Sequence, residues 1–321
     1  MENFKIILGT MTFGPQIDES ESRKLVETFV NDGNTEIDSA FVYNEGETER
    51  ILGNILSGFD VNIATKINPR ISGRLDAEAV DYQFNESLNR MNRDSVDLLY
   101  LHFPDPVTAV EGALEAINEL FEQGKIKELG LSNFPAWEVV KVYHLCDKHN
   151  WLKPTVYQGM YNGLSRNIED ELFPAIRDFG IRFYAYNPLA GGLLSGKHKV
   201  FSEDPKDGRF LLRPNYKNRY WKESYFEALQ ILHSECSKEN LPLFEVALRW
   251  LAFHSKIDHA QGDGILVGVS KIEQLVSNVK SLKNGILPDN IVTAFNSAWE
   301  AVRADCPSYF KYIGAKGKPS S

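Results

Sequence analysis

Short runs rich in Val, Ile, Leu, Tyr and Phe recur along this chain, and between them lie longer stretches in which apolar residues return every three or four positions. Eight runs of the first kind are found, at 5–10, 36–39, 62–66, 97–102, 128–132, 155–158, 182–186 and 264–268. Runs of that length and composition read as strands buried on both faces. The intervening segments 20–32, 46–57, 76–91, 108–123, 135–150, 167–179 and 243–254 have helical spacing. In the segment from Thr108, the residues Val110, Ala113, Leu114, Ile117, Leu120 and Phe121 form one apolar stripe, as expected of a helix laid on a sheet. Glu19-Ser20 and Asn133 stand where helix starts are expected. Eight strands alternating with helices predict an α/β fold of one domain, a (β/α)8 TIM barrel spanning residues 1–321.

One stretch breaks the repeat. Between Pro188 and Arg219 the chain is rich in Gly, Pro, Lys and Arg and is far longer than an ordinary βα connection. It follows the seventh strand, so it opens on the face where such barrels bind ligands, and a loop folding over a ligand is expected there. A C-terminal extension over the same face is expected too, with 312–321 as a flexible tail.

Composition narrows the partners. The chain has 44 acidic and 35 basic residues, a net charge of -9 and a pI near 5.4, which disfavours nucleic acid and anionic membrane and favours a small molecule. Its three cysteines, Cys146, Cys236 and Cys306, are scattered, with no metal-binding spacing, so no metal site and a reducing, cytoplasmic setting are expected. The first residues enter a strand pattern at once, without the basic and apolar regions of a secretory leader.

Four residues of complementary proton chemistry, Asp38, Tyr43, Lys66 and His102, sit at or just past the ends of strands two, three and four. Singly, each has a structural explanation: a turn-capping carboxylate, an exposed loop aromatic, a solvated lysine, a satisfied histidine. Together they face one space. A phenol is a poor acid at neutral pH, and a neighbouring ammonium such as Lys66 is expected to lower its pKa. Asp38 would keep Lys66 charged, and His102 would hydrogen-bond a carbonyl oxygen and turn it toward Tyr43. Proton delivery to a developing alkoxide, with no nucleophile and no metal, suits carbonyl reduction by hydride from a cofactor.

With these residues goes Leu8-Gly9-Thr10-Met11-Thr12-Phe13-Gly14, and the chain resembles an aldo-keto reductase over nearly its whole length. More narrowly, the segments 184–197, 218–222, 295–299 and 306–310 are similar to the aflatoxin-aldehyde and succinic-semialdehyde reductase branch. The resemblance implies NADPH as hydride donor and Tyr43 as general acid. It implies cofactor contacts from Met11 and Asp38, from Ser132, Asn133 and Gln158 to the nicotinamide carboxamide, and from Tyr186 stacked on the ring. Asn187 would also contact the cofactor, Leu189, Gly191 and Lys197 would line the pyrophosphate, and Ser270, Lys271, Gln274 and Asn278 the adenosine 2′-phosphate and adenine, at a helix start suited to anions. Gln274 stands where many relatives have arginine. Met11, Tyr43, His102, Arg219, Trp221 and Lys311 are the candidate substrate contacts, with Arg219 suited to a carboxylate. The resemblance also implies a homodimer.

Two other readings stay open on the residues alone. Lys66 could be a Schiff-base nucleophile of a barrel aldolase, which requires a desolvated amine that Asp38 would oppose. Alternatively the chain could be an NADPH-binding regulatory subunit with slow or vestigial reductase activity. The absence of Gly-x-Gly-x-x-Gly after the first strand disfavours a Rossmann dinucleotide site.

Overall fold

The computed structural model describes residues 5–205 and 208–312; of the expected tail, only Tyr312 falls among them. The apolar runs are strands and the stretches between them helices. They follow as β1 (Lys5–Gly9), α1 (Glu19–Asn31), β2 (Glu36–Asp38), α2 (Glu47–Ile55), β3 (Asn62–Ile67), α3 (Ala77–Met91) and β4 (Leu98–Leu101). Then come α4 (Glu111–Glu122), β5 (Glu128–Ser132), α5 (Ala136–His149), β6 (Pro154–Met160), α6 (Leu172–Asp178) and β7 (Arg182–Tyr186). Every strand pairs in parallel with the next, and β8 (Gly264–Gly268) pairs with β1, so the sheet closes into the expected barrel.

The chain after β7 is more ordered than its composition suggests. The Gly-rich stretch is a 3-10 turn (Ala190–Ser195) followed by two short helices, α7 (Gly208–Leu212) and α8 (Pro214–Tyr220). Two longer helices lie outside the expected set. They are α9 (Glu223–Lys238), ahead of α10 (Leu243–Phe253), and α12 (Asp289–Val302), after α11 (Ile272–Leu282); α9 and α12 pack on each other. The buried residues Tyr225, Leu229, Leu232 and Cys236 of α9 do return every three or four positions, so the signal was present.

Helix starts are set by local chemistry. Asp18 accepts the Glu21 amide at 2.8 Å and Asp76 the Ala79 amide at 2.9 Å, satisfying donors that a first turn leaves free. Asn133 is not a helix cap: α5 begins behind Pro135, and Asn133 adopts a left-handed φ of 61°.

The period of two in a strand decides what enters the barrel. At its lower end Lys5 meets Glu36 at 2.9 Å and Arg182 meets Glu128 at 2.5 Å, a plug of paired charges. Above it Ile7, Ala64, Leu98, Tyr100, Val156, Tyr184 and Leu266 fill the interior as a cluster separate from the larger core between sheet and helices. One more step along the same faces reaches Gly9, Asp38, Lys66, His102, Ser132, Gln158, Tyr186 and Gly268. Six of the predicted residues, Asp38, Lys66, His102, Ser132, Gln158 and Tyr186, thus top the barrel because strands keep their alternation.

Outside the barrel, α2 and α3 cross closely at Gly53. A Cβ there would collide with the Arg90 carbonyl oxygen and lie 2.9 Å from the Met91 Cα, backbone atoms that cannot swing aside. That crossing holds Arg90, whose Nη1 donates to the Phe41 carbonyl at 3.1 Å and to the buried Glu49 at 3.2 Å, anchoring the turn that carries Tyr43. Gly53→Ala is expected to destabilise the protein by about 1–3 kcal/mol, the scale of overpacking. Urea unfolding of the variant beside the wild type checks this, and equal midpoints would refute the close crossing.

Candidate active site

The geometry starts from a charge that cannot face water. Lys66, on β3, has no exposed surface. Its ammonium donates to both oxygens of Asp38, at 2.7 and 2.6 Å, and to the Ser39 carbonyl at 2.5 Å. All three N–H donors are then used. Across the barrel, Gln158 Nε2 donates to Asp38 Oδ1 at 2.7 Å, so β2, β3 and β6 converge on one carboxylate.

Tyr43 stands in front of this pair, half-buried, in a tight turn where Asn44 and Glu45 have φ of 49° and 57°. Asn44 Nδ2 holds that turn by donating to the Met11 and Phe13 carbonyls, each at 2.9 Å. Lys66 Nζ lies 5.2 Å from the Tyr43 ring centroid. The expectation that Lys66 lowers the Tyr43 pKa is not met. Withdrawal from water and the Asp38 carboxylate hold the phenol well above its ordinary value. Burial lowers Lys66, while Asp38 opposes that shift, so its charge is both confined and balanced. The phenol therefore keeps its proton at neutral pH.

His102 meets Tyr43 edge-on, with ring centroids 6.1 Å apart. Burial, then the positive charges of Lys66 and Arg70, push its pKa well below the ordinary value, so the imidazole is neutral. Beside it Asn133 Nδ2 donates to the His102 carbonyl at 2.9 Å and to Ser132 Oγ at 2.9 Å, and its Oδ1 accepts the Tyr186 hydroxyl at 2.7 Å. The Asn133 carboxamide is thus committed to the protein.

These groups open on one cavity of about 1200 Å³. Asp38, Tyr43 and His102 line it, with Met11, Ser132, Asn133, Gln158, Tyr186, Asn187, Leu189, Gly191, Lys197, Ser270, Gln274, Asn278, Arg219 and Lys311. Lys66 lies behind the lining. Two expected contacts are placed elsewhere. Trp221 donates its Nε1 to the Phe201 carbonyl at 3.1 Å, its ring packed about 5 Å from those of Phe210 and Phe226, because the apolar side of α9 offers it a dry surface. Lys271 is exposed at the start of α11 and outside the lining. Gln274 Oε1 accepts the Ser270 amide at 3.0 Å and so closes part of that helix start upon itself.

The cavity also gathers residues that sequence reasoning passed over. Asn68 and Arg70 follow β3 directly, and Arg209 and Arg213 stand on α7 and just after it. For Asn68 and Arg70 the signal was placement just past a strand end on the open face; Arg209 and Arg213 lie in the long stretch after β7. Arg70, Lys197, Arg209, Arg213, Arg219 and Lys311 are six basic side chains against two acidic ones, Asp38 and Glu273. Among the described residues none of the six is in an ion pair. A cavity this large exceeds the range for one small ligand, and its unpaired cations suit anionic groups. The buried Asn187 Nδ2 has no hydrogen-bond partner among the described residues, and Gly192 at φ 109° has open space beside its backbone. The lining therefore fits an extended, phosphate-bearing cofactor. No cluster of three His, Cys, Asp or Glu that could hold a metal occurs among the described residues.

The structure is a closed parallel barrel with a tyrosine, a histidine and a buried lysine–aspartate pair at its open end. The chain belongs to the Aldo/keto reductase family, whose match covers residues 5–300, and it is an oxidoreductase using a nicotinamide cofactor. It is 44% identical to Aflatoxin B1 aldehyde reductase member 2 of Homo sapiens over 319 residues, 95% of this chain and 89% of that one. It is 43% identical to human Aldo-keto reductase family 7 member A3, covering 95% and 96%. With Oxidoreductase sirO of Leptosphaeria maculans the identity is 32%, covering 95% and 96%.

Replacing Lys66 by Met leaves a buried carboxylate with no cation, which is expected to cost about 3–5 kcal/mol of stability. Adding Asp38→Asn to that variant should recover part of the loss. Chemical unfolding of the single and double variants at pH 7 decides this, since a wild-type midpoint for Lys66→Met would show that the pair holds nothing together.

Proposed function

We propose that this chain reduces aldehydes to alcohols with NADPH, and that Tyr43 supplies the proton. The observation that carries the reading is continuity. One cavity runs from Asp38, Tyr43 and His102, past Tyr186 and the turn at 189–192, to Ser270, Gln274 and Asn278 at the start of α11. A bound reduced nicotinamide supplies hydride to the carbonyl carbon. The protein's own groups handle the oxygen. His102, neutral, donates a hydrogen bond that places the carbonyl oxygen by Tyr43. As negative charge gathers on that oxygen, the Tyr43 hydroxyl, still protonated because its pKa is high, gives up its proton. The phenolate left behind faces the Lys66 ammonium, and Asp38 keeps that ammonium fixed. Asp38 also supports this division of labour against Schiff-base chemistry, because its two oxygens, with the Ser39 carbonyl, take all three lysine donors.

Preference for NADPH over NADH is supported by cations near the α11 end. Arg209 Nη2 lies 3.9 Å from where a Cβ on Gly268 would stand, beside a helix start that favours anions. Ser270, Gln274 and Asn278 line the same end. Arg219 lines the cavity and is held over the Tyr216 and Tyr220 rings, 5.4 and 5.9 Å from their centroids, a guanidinium suited to a substrate carboxylate. No helix among the described residues is long and apolar enough to cross a membrane.

Oxidation of NADPH and NADH should be followed side by side with succinic semialdehyde and a nitrobenzaldehyde. NADPH oxidation with at least one is expected, and none with either would overturn the substrate class. Tyr43→Phe is expected to lower kcat by about 10² to 10⁴-fold, the range for a general acid, with cofactor affinity near wild type. Full turnover in that variant would remove Tyr43 from its role. Arg219→Ala should raise KM for the carboxylate-bearing aldehyde by about 10-fold or more while sparing nitrobenzaldehyde, as loss of a charged hydrogen bond predicts.

A further inference from the structure

His102 can place a carbonyl oxygen only if the ring nitrogen facing the cavity carries a hydrogen. A neutral imidazole has one hydrogen and two nitrogens, so something must decide where it sits. Asn68 Nδ2 lies 3.1 Å from His102 Nδ1, and both residues are buried. The amide cannot be turned round without loss. Asn68 Oδ1 accepts the Arg70 backbone amide at 3.0 Å, which identifies it as the oxygen and leaves the NH2 group for the histidine. The backbone of Asn68 is clamped as well. Gln83, on α3, accepts the Asn68 amide at 2.8 Å and donates to the Asn68 carbonyl at 3.1 Å. Pro69 follows, confining Asn68 to extended conformations.

A donor fixed opposite Nδ1 makes Nδ1 an acceptor, and the hydrogen must then reside on Nε2. We propose that Asn68, held by Gln83 and the Arg70 amide, is the positioning residue that selects the Nε2–H tautomer of His102. The inference rests on the proposed carbonyl-orienting role of His102 and explains how that role is enforced. The charged and titratable groups facing His102 are the Lys66 ammonium from β3, the Arg70 guanidinium from the segment after it, and the Tyr43 phenol from the turn after β2. No carboxylate is hydrogen-bonded to the ring among the described residues. With two cations and a neutral amide as neighbours, the ring stays neutral and its tautomer depends on the amide alone.

Asn68→Asp tests this with little change of shape. The new carboxylate can still accept the Arg70 amide, but opposite Nδ1 it offers an acceptor where there was a donor. In the wild type without cofactor, nitrogen NMR of the imidazoles, assigned with His102→Gln, should show His102 protonated at Nε2 and bare at Nδ1. In Asn68→Asp, Nδ1 should carry the hydrogen, and the imidazolium should persist to higher pH. Its kcat should then fall as pH rises through that new pKa, because the neutral ring now turns a lone pair to the cavity. The loss at high pH should approach about 10²-fold, the scale of losing one donor to a developing oxyanion. Cofactor affinity should stay near wild type at both ends of the range. Nδ1–H in the wild type, or an Asn68→Asp protein with wild-type tautomer and pH profile, would overturn the proposal. The wild-type spectrum decides the matter even if Asn68→Asp does not fold. An Nε2–H ring in a protein that reduces no aldehyde would sink the proposed function and leave this inference standing.

Discussion

A lysine ammonium with no exposed surface, seated at the top of a closed barrel, is the constraint from which the rest of the site follows. Taking such a charge out of water is costly unless every donor is met by a well-placed acceptor. Lys66 meets that condition through both oxygens of Asp38 and the Ser39 carbonyl, all supplied by the neighbouring strand β2 and its continuation. Gln158 then reaches from the far side of the barrel to the same carboxylate. The pair needs β2 and β3 in register, and the Gln158 bond adds β6, so the closed sheet and the complete carboxylate network depend on the same strand placement.

The pair also shapes its neighbours, with Asp38 in the cavity wall and Lys66 behind it. Because all three Lys66 donors are used, none is left to hydrogen-bond Tyr43, and the lysine acts on the phenol through space. Tyr43 stays protonated and His102 stays neutral. In the proposed mechanism two uncharged groups present hydrogens to an incoming carbonyl oxygen, while among the described residues the full charges near them include the balanced Lys66–Asp38 pair and the Arg70 guanidinium. Such an arrangement is complementary to charge that develops during reaction rather than to charge present beforehand.

Charge is divided on the scale of the whole chain too. The protein carries a net charge of -9, yet its cavity has six basic side chains with no ion pair among the described residues. An acidic exterior repels polyanions in general, and a cationic interior selects those small enough to enter. The helices α7 and α8 and the segment Pro307–Tyr312 bring most of these cations over the barrel mouth.

Much of this was legible in the chain. Strands buried on both faces have to be apolar, so β1 to β8 announced themselves, and a period of two then carries Asp38, Lys66 and His102 to the same end of the barrel as Gln158 and Tyr186. Local pattern could not show where long side chains finish. Trp221 looked like a pocket aromatic, yet the dry side of α9 holds it elsewhere, and Lys271 points to solvent from a helix start. Nor could it show that Asn133 braces the His102 backbone instead of capping a helix, or that Asn68 faces the histidine ring. The sign of the Tyr43 shift was likewise out of reach, because it depends on whether Lys66 is closer in effect to the phenol or to Asp38. Residue types and their alternation determined the barrel and the members of its site; partners, protonation states and the direction of each amide were decided only by packing, since they depend on distances of a few ångströms between segments far apart in the chain.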